Sequence, residues 1–117
     1  MTRRPPGPTA TIPAMPLFVA VRPAGAEWVP GLGAREQPLW DEHAAFMDEL
    51  FERGGVALGG PFEDGSGALV VLRAESADAA RELLAGDPWC SGGRDIQGIG
   101  TLRPWTVFLD SWATGSG

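Results

Sequence analysis

Residues 38–55 read PLWDEHAAFMDELFERGG and carry the clearest helical pattern of the chain. Apolar residues recur three and four positions apart, which places them on one face of a helix. That face consists of Leu39, His43, Phe46, Met47 and Leu50, widened by Trp40, Ala44 and Phe51. Acidic residues occupy the opposite side, Pro38 suits the first turn, and Gly54-Gly55 supplies a left-handed end. The segment predicts an amphipathic helix with a histidine on its apolar face.

Short apolar runs on either side of this helix predict β-strands, because they are rich in β-branched residues and bounded by Gly and Pro. The first three predicted strands are Leu17–Val21, Val56–Leu58 and Ala68–Leu72. The second and third flank a turn-forming cluster at 63–67 and read as a hairpin. We expect a last strand within residues 96–109, broken or bulged near Pro104.

A second helix is predicted after Ser76, which is a good N-cap, with Gly86 at its end. The order is then β-α-β-β-α-β, which is that of an α+β ferredoxin-like fold with both helices on one face of an antiparallel sheet. The other face of such a sheet needs a cover. We therefore expect a homodimer in which two sheets pack against each other.

A length of 117 residues predicts one domain. Residues 1–16 hold five prolines and predict a disordered tail, residues 17–110 the domain, and residues 111–117 a flexible end. Met15 is a plausible alternative start, because the folded pattern begins just after it. Residues 23–36 form an unusually long connection, a length typical of functional lids.

The composition excludes several functional classes. With 9 basic and 15 acidic residues the formal net charge is −6, which argues against a nucleic acid partner. No apolar run approaches the roughly 18 residues of a membrane span. One cysteine fits a reducing cytoplasm, and one histidine beside one cysteine argues against a zinc site. We expect a cytoplasmic domain without metal or cofactor.

His43 and Asp87 are the candidate catalytic residues. A half-buried imidazole can serve as a general acid or base near neutral pH, provided that a partner orients it. Asp87 follows the second helix and is restricted by Pro88, which makes it the best candidate for that partner. The alternatives are a core histidine bonded to backbone and a turn aspartate that bonds its own backbone. The spacing along the chain does not decide between them.

Aromatic residues are candidates for the wall of a substrate pocket. The predicted pocket residues are Trp40, Trp89, Trp28, Phe46 and Arg103. The alternative for Trp40 and Trp89 is packing in the core or at a dimer interface, and the alternative for Arg103 is an exposed strand position. Trp28, in the long connection, is the candidate for a lid. Cys90 reads as a packed thiol, because a neighbouring carboxylate disfavours the reactive thiolate.

Several short motifs recur in an order that resembles the YciI-like (YCII-related) domain family. They are Trp40-Asp41-Glu42-His43-Ala44-Ala45-Phe46, Gly54, Gly59-Gly60-Pro61, Ala74-Glu75-Ser76, the helix Ala79 to Leu84, Asp87-Pro88-Trp89, Gly93 and Arg103-Pro104-Trp105. The resemblance implies a ferredoxin-like α/β-barrel dimer with His43 and Asp87 as its active-site pair. The family it resembles is related in fold to muconolactone isomerase-type proteins, and a dehydrochlorinase that acts on a hydroxymuconate belongs to that family.

The resemblance and the residues together predict an enzyme for cofactor-free proton transfer on a small molecule, by isomerisation, elimination or lactone chemistry. The proline-rich leader and the long 23–36 connection depart from the family pattern. One alternative is a non-catalytic module that binds a small ligand or assembles as a dimer. A weaker alternative is haem or dioxygen chemistry, which related dimeric barrels support.

Overall fold

The computed structural model describes residues 15–111. The predicted tail at 1–16 and the predicted end at 111–117 lie outside this range, apart from Met15, Pro16 and Ser111. The strands are β1 (Leu17–Pro23), β2 (Val56–Pro61), β3 (Gly67–Arg73) and β4 (Leu102–Trp105), and the helices are α1 (Trp40–Glu52) and α2 (Ala77–Ala85). A short 3-10 helix, Ala34–Glu36, precedes α1. No helix among the described residues is long and apolar enough to cross a membrane.

The four strands form one antiparallel sheet in the order β2-β3-β1-β4. The two strands that are central in the sheet are the first and third in the chain, which is the arrangement that a ferredoxin-like split produces. The predicted α+β fold and the predicted β2–β3 hairpin are therefore confirmed.

Side chains along β1 point alternately to the two faces of the sheet, and every second one is buried. Phe18 and Ala20 are buried, and they pair with Leu72 and Val70 of β3. All four belong to one hydrophobic cluster that also contains residues of both helices, Leu50, Ala80 and Leu84. Burying each large apolar side chain stabilises the fold by about 1.5–3 kcal/mol. Both helices thus cover one face of the sheet, and the next position on that face of β1 is Arg22.

Helix α1 begins two residues later than the sequence predicted. Pro38 was expected in the first turn, but Leu39 adopts a left-handed conformation with φ 62° and the helix starts at Trp40. The Pro38 carbonyl accepts a hydrogen bond from Trp89 Nε1 at 2.8 Å, so it is committed to a tertiary contact. Phe51, predicted on the apolar face, is 59 % exposed.

The last strand is shorter than predicted. Only Leu102–Trp105 is regular, and Pro104 sits within it in plain register with Phe18. Because β4 is an edge strand, one proline without an N–H is tolerated there, and no bulge is needed. The irregular part of this segment comes before β4. There the N–H groups of Gly98 and Gly100 donate to the Pro23 and Val21 carbonyls of β1 without forming a regular strand.

Candidate active site

His43 and Asp87, which are 44 residues apart in the chain, meet inside the domain. His43 lies on the buried face of α1 with 8 % of its surface exposed, and Asp87 is fully buried. The imidazole Nδ1 stands 2.8 Å from Asp87 Oδ1 and 2.9 Å from Oδ2. Within residues 15–111, His43 Nε2 makes no hydrogen bond. The imidazole is therefore held by one nitrogen, and the other is available to a ligand.

The turn after α2 presents Asp87 to the interior. Its carbonyl accepts the N–H groups of Cys90 and Ser91, and Oδ1 accepts the N–H of Trp89 at 3.0 Å. Such a local bond from an aspartate to the backbone two residues on stabilises a turn. Asp87 therefore has both of the roles that the sequence left open. It bonds its own turn and it also bonds His43, because a carboxylate has enough lone pairs for both.

Arg22 is the third member of the cluster, and the sequence reasoning missed it. Its Nη1 donates to Asp87 Oδ2 at 2.7 Å, and both side chains are fully buried. The signal was available, because the alternation of Phe18, Ala20 and Arg22 puts the guanidinium on the same face as the core. A charged residue at the end of a buried stripe has to find a buried partner.

Electrostatics keep the Asp87 carboxylate ionised. Burial pushes its pKa up, but the hydrogen bonds from His43 and Trp89 and the charge of Arg22 outweigh burial and hold the pKa below its usual value. A carboxylate without a proton can only accept, so His43 Nδ1 carries the hydrogen of their bond. With its one hydrogen on Nδ1, a ring that carries no second proton offers Nε2 as an acceptor.

Cys90 lies beside the cluster as a packed thiol. Burial raises its pKa, the charge of Arg22 opposes that rise, and the charge of Asp87 adds to it. The Sγ atom lies 3.4 Å from the Leu84 carbonyl and 3.7 Å from Arg22 Nη2. A thiol of raised pKa is a poor nucleophile, in keeping with the expectation that Cys90 packs.

Trp89 fixes the plane of the imidazole. The two rings stack with centroids 3.7 Å apart and an angle of 7° between their planes. Trp89 is buried, and its own indole N–H is anchored on Pro38. Trp40, one turn before His43, lies 5.6 Å from the imidazole centroid and 5.8 Å from that of Trp89. The aromatic packing restricts ring rotation, so the Asp87 bond and the stack together define one orientation.

A groove of about 890 Å³ adjoins the cluster. It is lined by His43, Arg22, Trp40 and Trp89, by the 3-10 helix, and by residues of α1, β2 and β3 such as Met47, Gly59 and Val70. The walls are mainly apolar, with charged side chains at Arg35, Glu36 and Asp48. An apolar groove with a few polar groups is typical of a small-molecule site.

The long connection before α1 is anchored. Gln37, 3 % exposed, exchanges hydrogen bonds with the N–H and carbonyl of Val29 and donates to the Leu32 carbonyl. Asp95 accepts from the Ala26 N–H, and its own N–H donates to Glu27. These bonds tie the connection to the domain, and only its last four residues, 33–36, line the groove.

Three predicted pocket residues lie elsewhere, since Trp28, Phe46 and Arg103 are not among the described residues that line the groove. Trp28 packs edge-on against Trp89 at 5.7 Å, behind the aromatic wall. Phe46 packs against the hydrophobic cluster. Arg103 is exposed and pairs with Val19, so it lies on the sheet face opposite His43.

Within the described part of the chain, no cluster of metal-ligating side chains forms around the His43–Asp87 pair. Among residues 15–111 no three His, Cys, Asp or Glu side chains come together in a metal-binding arrangement. His43 and Asp87 are bonded to each other, and the third partner is a cation. The arrangement can hold and move a proton at His43 Nε2.

A comparison with protein families places the cluster within a known domain. The family model described as the YCII-related domain matches residues 17–96, a range that contains Arg22, His43 and Asp87. A search of curated proteins found no match.

Replacing Asp87 is expected to destabilise the protein in a pH-dependent way. Asp87→Asn leaves Arg22 buried without its counter-charge, which costs about 3 kcal/mol of unfolding free energy at neutral pH. The pKa of Asp87 is lowered in the folded protein. The stability difference between the wild type and Asp87→Asn therefore persists above the unfolded pKa of about 3.9 and narrows as the pH falls below it. Urea denaturation across that range, with the exposed Glu49→Gln as control, measures it. If the stability difference between the two proteins stayed the same well below that pH, it would not come from the ion pair between Arg22 and Asp87.

Proposed function

This chain belongs to the YCII-related domain family, and on that premise we propose that it is an enzyme that moves a proton on a small molecule through His43 and Asp87, without a cofactor. The observation that carries the proposal is the buried bond between Nδ1 and the carboxylate, beside a groove that His43 lines. Isomerisation, elimination and lactone chemistry need this kind of proton transfer.

The mechanism follows from the tautomer. Asp87 keeps the hydrogen on Nδ1, so Nε2 accepts a proton from a substrate carbon next to a carbonyl. The resulting imidazolium is stabilised by the carboxylate that already bonds it. The proton then returns at another carbon in an isomerisation, or remains while a leaving group departs in an elimination. General acid–base catalysis of this kind contributes about 10²–10⁴-fold, which suits substrates with an activated C–H bond.

The groove favours a small, mostly apolar substrate that carries an acidic group. Its walls are aromatic and aliphatic near His43, and the exposed Arg35 offers a guanidinium to a carboxylate. Met47 and Val70 supply apolar contact, and Gly59 leaves space above β3. Unsaturated lactones and keto acids have this combination of properties.

A second candidate function is a module that binds a small ligand without turning it over. The same groove supports this candidate. The small number of acid–base groups, with His43 as the one histidine of the chain, favours it. The two candidates differ in one respect. Only the enzyme exchanges a substrate proton with water at a rate that depends on His43.

Deuterium exchange in D₂O separates the candidates. With muconolactone and a panel of keto acids as probes, we expect NMR to detect deuterium uptake catalysed by the wild type, and His43→Gln to slow it by about 10²–10⁴-fold. Binding affinity should change little in this variant, because Gln keeps most of the side-chain volume. Equal exchange rates in both proteins would contradict the catalytic role of His43, and binding without exchange would favour the binding module.

A groove-filling variant supplies the matched control for that experiment. Gly59 pairs with Val70, and a Cβ there would lie 3.4 Å from the Leu69 carbonyl oxygen and 3.6 Å from Val70 Cγ2, both in the range of ordinary contact. Gly59→Val should therefore fold and weaken probe binding under either candidate, whereas Ala45→Val on the exposed side of α1 should not. His43→Gln differs from both, because only chemistry is lost.

We also propose that the uncovered sheet face pairs with a second copy of the chain. The face carries apolar side chains, with Leu58 and Trp105 each 46 % exposed and Val19 and Val21 half-buried. Contiguous exposed apolar surface of this kind marks an interaction site.

Light scattering at micromolar concentration tests the dimer. We expect twice the chain mass of 12.3 kDa, and we expect Val19→Asp to shift the protein towards the monomer because it would bury a charge in the interface. Glu49→Ala, on the solvated face of α1, is the control. A monomer mass for the wild type would contradict the pairing.

The remaining partners follow from charge. The net charge of −6 supports a protein that does not bind nucleic acid, since phosphates attract basic surfaces. The single cysteine supports a reducing compartment, and a cytoplasmic location is part of the proposal on that ground.

A further inference from the structure

Arg22 is an unusual residue for the interior of so small a domain. It is fully buried, and a guanidinium removed from water is destabilising unless its donors are satisfied. The donors are nearly all in use, since Nε donates to the Gly98 carbonyl at 2.9 Å, Nη2 to the Gln97 carbonyl at 3.1 Å, and Nη1 to Asp87 at 2.7 Å. These contacts leave the guanidinium no freedom to turn towards a ligand.

The charges of the cluster balance only when the imidazole is neutral. Arg22 contributes one positive charge and Asp87 one negative charge, so a neutral His43 gives zero and an imidazolium gives one excess positive charge. Without Arg22, the lone Asp87 carboxylate would draw a proton onto the imidazole. A buried cluster favours the balanced state, because uncompensated charge is costly in the interior.

We propose that Arg22 is a positioning residue that, by neutralising Asp87, lets His43 rest as a neutral imidazole ready to accept the substrate's proton. The inference deepens the proposed function and rests on it for its catalytic meaning. It assigns the first event, in which His43 acts as a base; in an isomerisation His43 then acts as an acid.

The other charged side chains near the imidazole are exposed to solvent. The Cys90 thiol, which touches Arg22, is neutral at ordinary pH because its pKa is raised. Arg35 and Glu36 of the 3-10 helix and Asp48 of α1 line the groove, and all three are exposed to solvent. Water screens exposed charges, so Arg22 and Asp87 dominate the field at the ring.

The lone histidine makes a direct test possible, because its ring gives a single set of NMR signals. We expect Arg22→Gln to raise the pH at which His43 is half protonated by about one unit or more, since the competing cation is gone. Arg22→Lys, which keeps a positive charge, should stay closer to the wild type. Arg81→Gln, which removes an exposed charge on α2, should leave the titration unchanged.

A second background keeps the test decisive if Arg22→Gln does not fold. In Asp87→Asn the guanidinium is unpaired, so adding Arg22→Gln should both stabilise the protein and raise the half-protonation pH relative to Asp87→Asn alone. An upward shift in either background supports the role of Arg22. No shift in a folded Arg22→Gln protein, or no shift in the double variant, would overturn it.

The titration needs no substrate, so its outcome is separate from that of the proposed function. If His43 proves essential for deuterium exchange while Arg22→Gln leaves the titration unchanged, only the role of Arg22 fails. If no exchange is catalysed but the titration responds, the cluster balances charge without supporting the chemistry.

Discussion

The buried carboxylate of Asp87 is the constraint on which the site depends. It accepts hydrogen bonds from His43 on α1, Arg22 on β1 and Trp89 in the turn after α2, and so ties three separate elements to one point. An unpaired charge in that position would cost several kcal/mol. The elements must therefore meet in one geometry, and that geometry also presents His43 to the groove.

Local pattern was sufficient for the architecture. The amphipathic face of α1, the Ser76 cap and the short apolar runs predicted the order of elements, and hydrophobic burial then places both helices on one face of the sheet. Errors occurred where a tertiary bond overrides local preference. Pro38 would suit a first helical turn, but its carbonyl accepts a hydrogen bond from Trp89 Nε1, and the helix begins at Trp40.

The candidate site was only partly predictable. His43 and Asp87 were identified as candidates, and the structure places them within hydrogen-bond distance, which chain spacing cannot reveal. Arg22 was missed because the predicted strand ended at Val21. Extending it by one residue would have placed the charged Arg22 on the buried face, two positions after Ala20. Arg103 was chosen for its chemistry and Trp28 for its place in the long connection, and the pairing register puts Arg103 on the opposite sheet face. Such facts depend on long-range pairing, which residue type does not encode.

The tautomer of the lone imidazole tests the central claim most directly. A long-range ¹H–¹⁵N NMR spectrum of the wild type, recorded above the titration of His43, reports which ring nitrogen carries the proton. The bond to Asp87 predicts a protonated Nδ1 and an unprotonated Nε2, the opposite of the tautomer that a free histidine side chain prefers. A proton on Nε2 would contradict the arrangement, because the imidazole would then not donate to the carboxylate and would have no acceptor to offer a substrate.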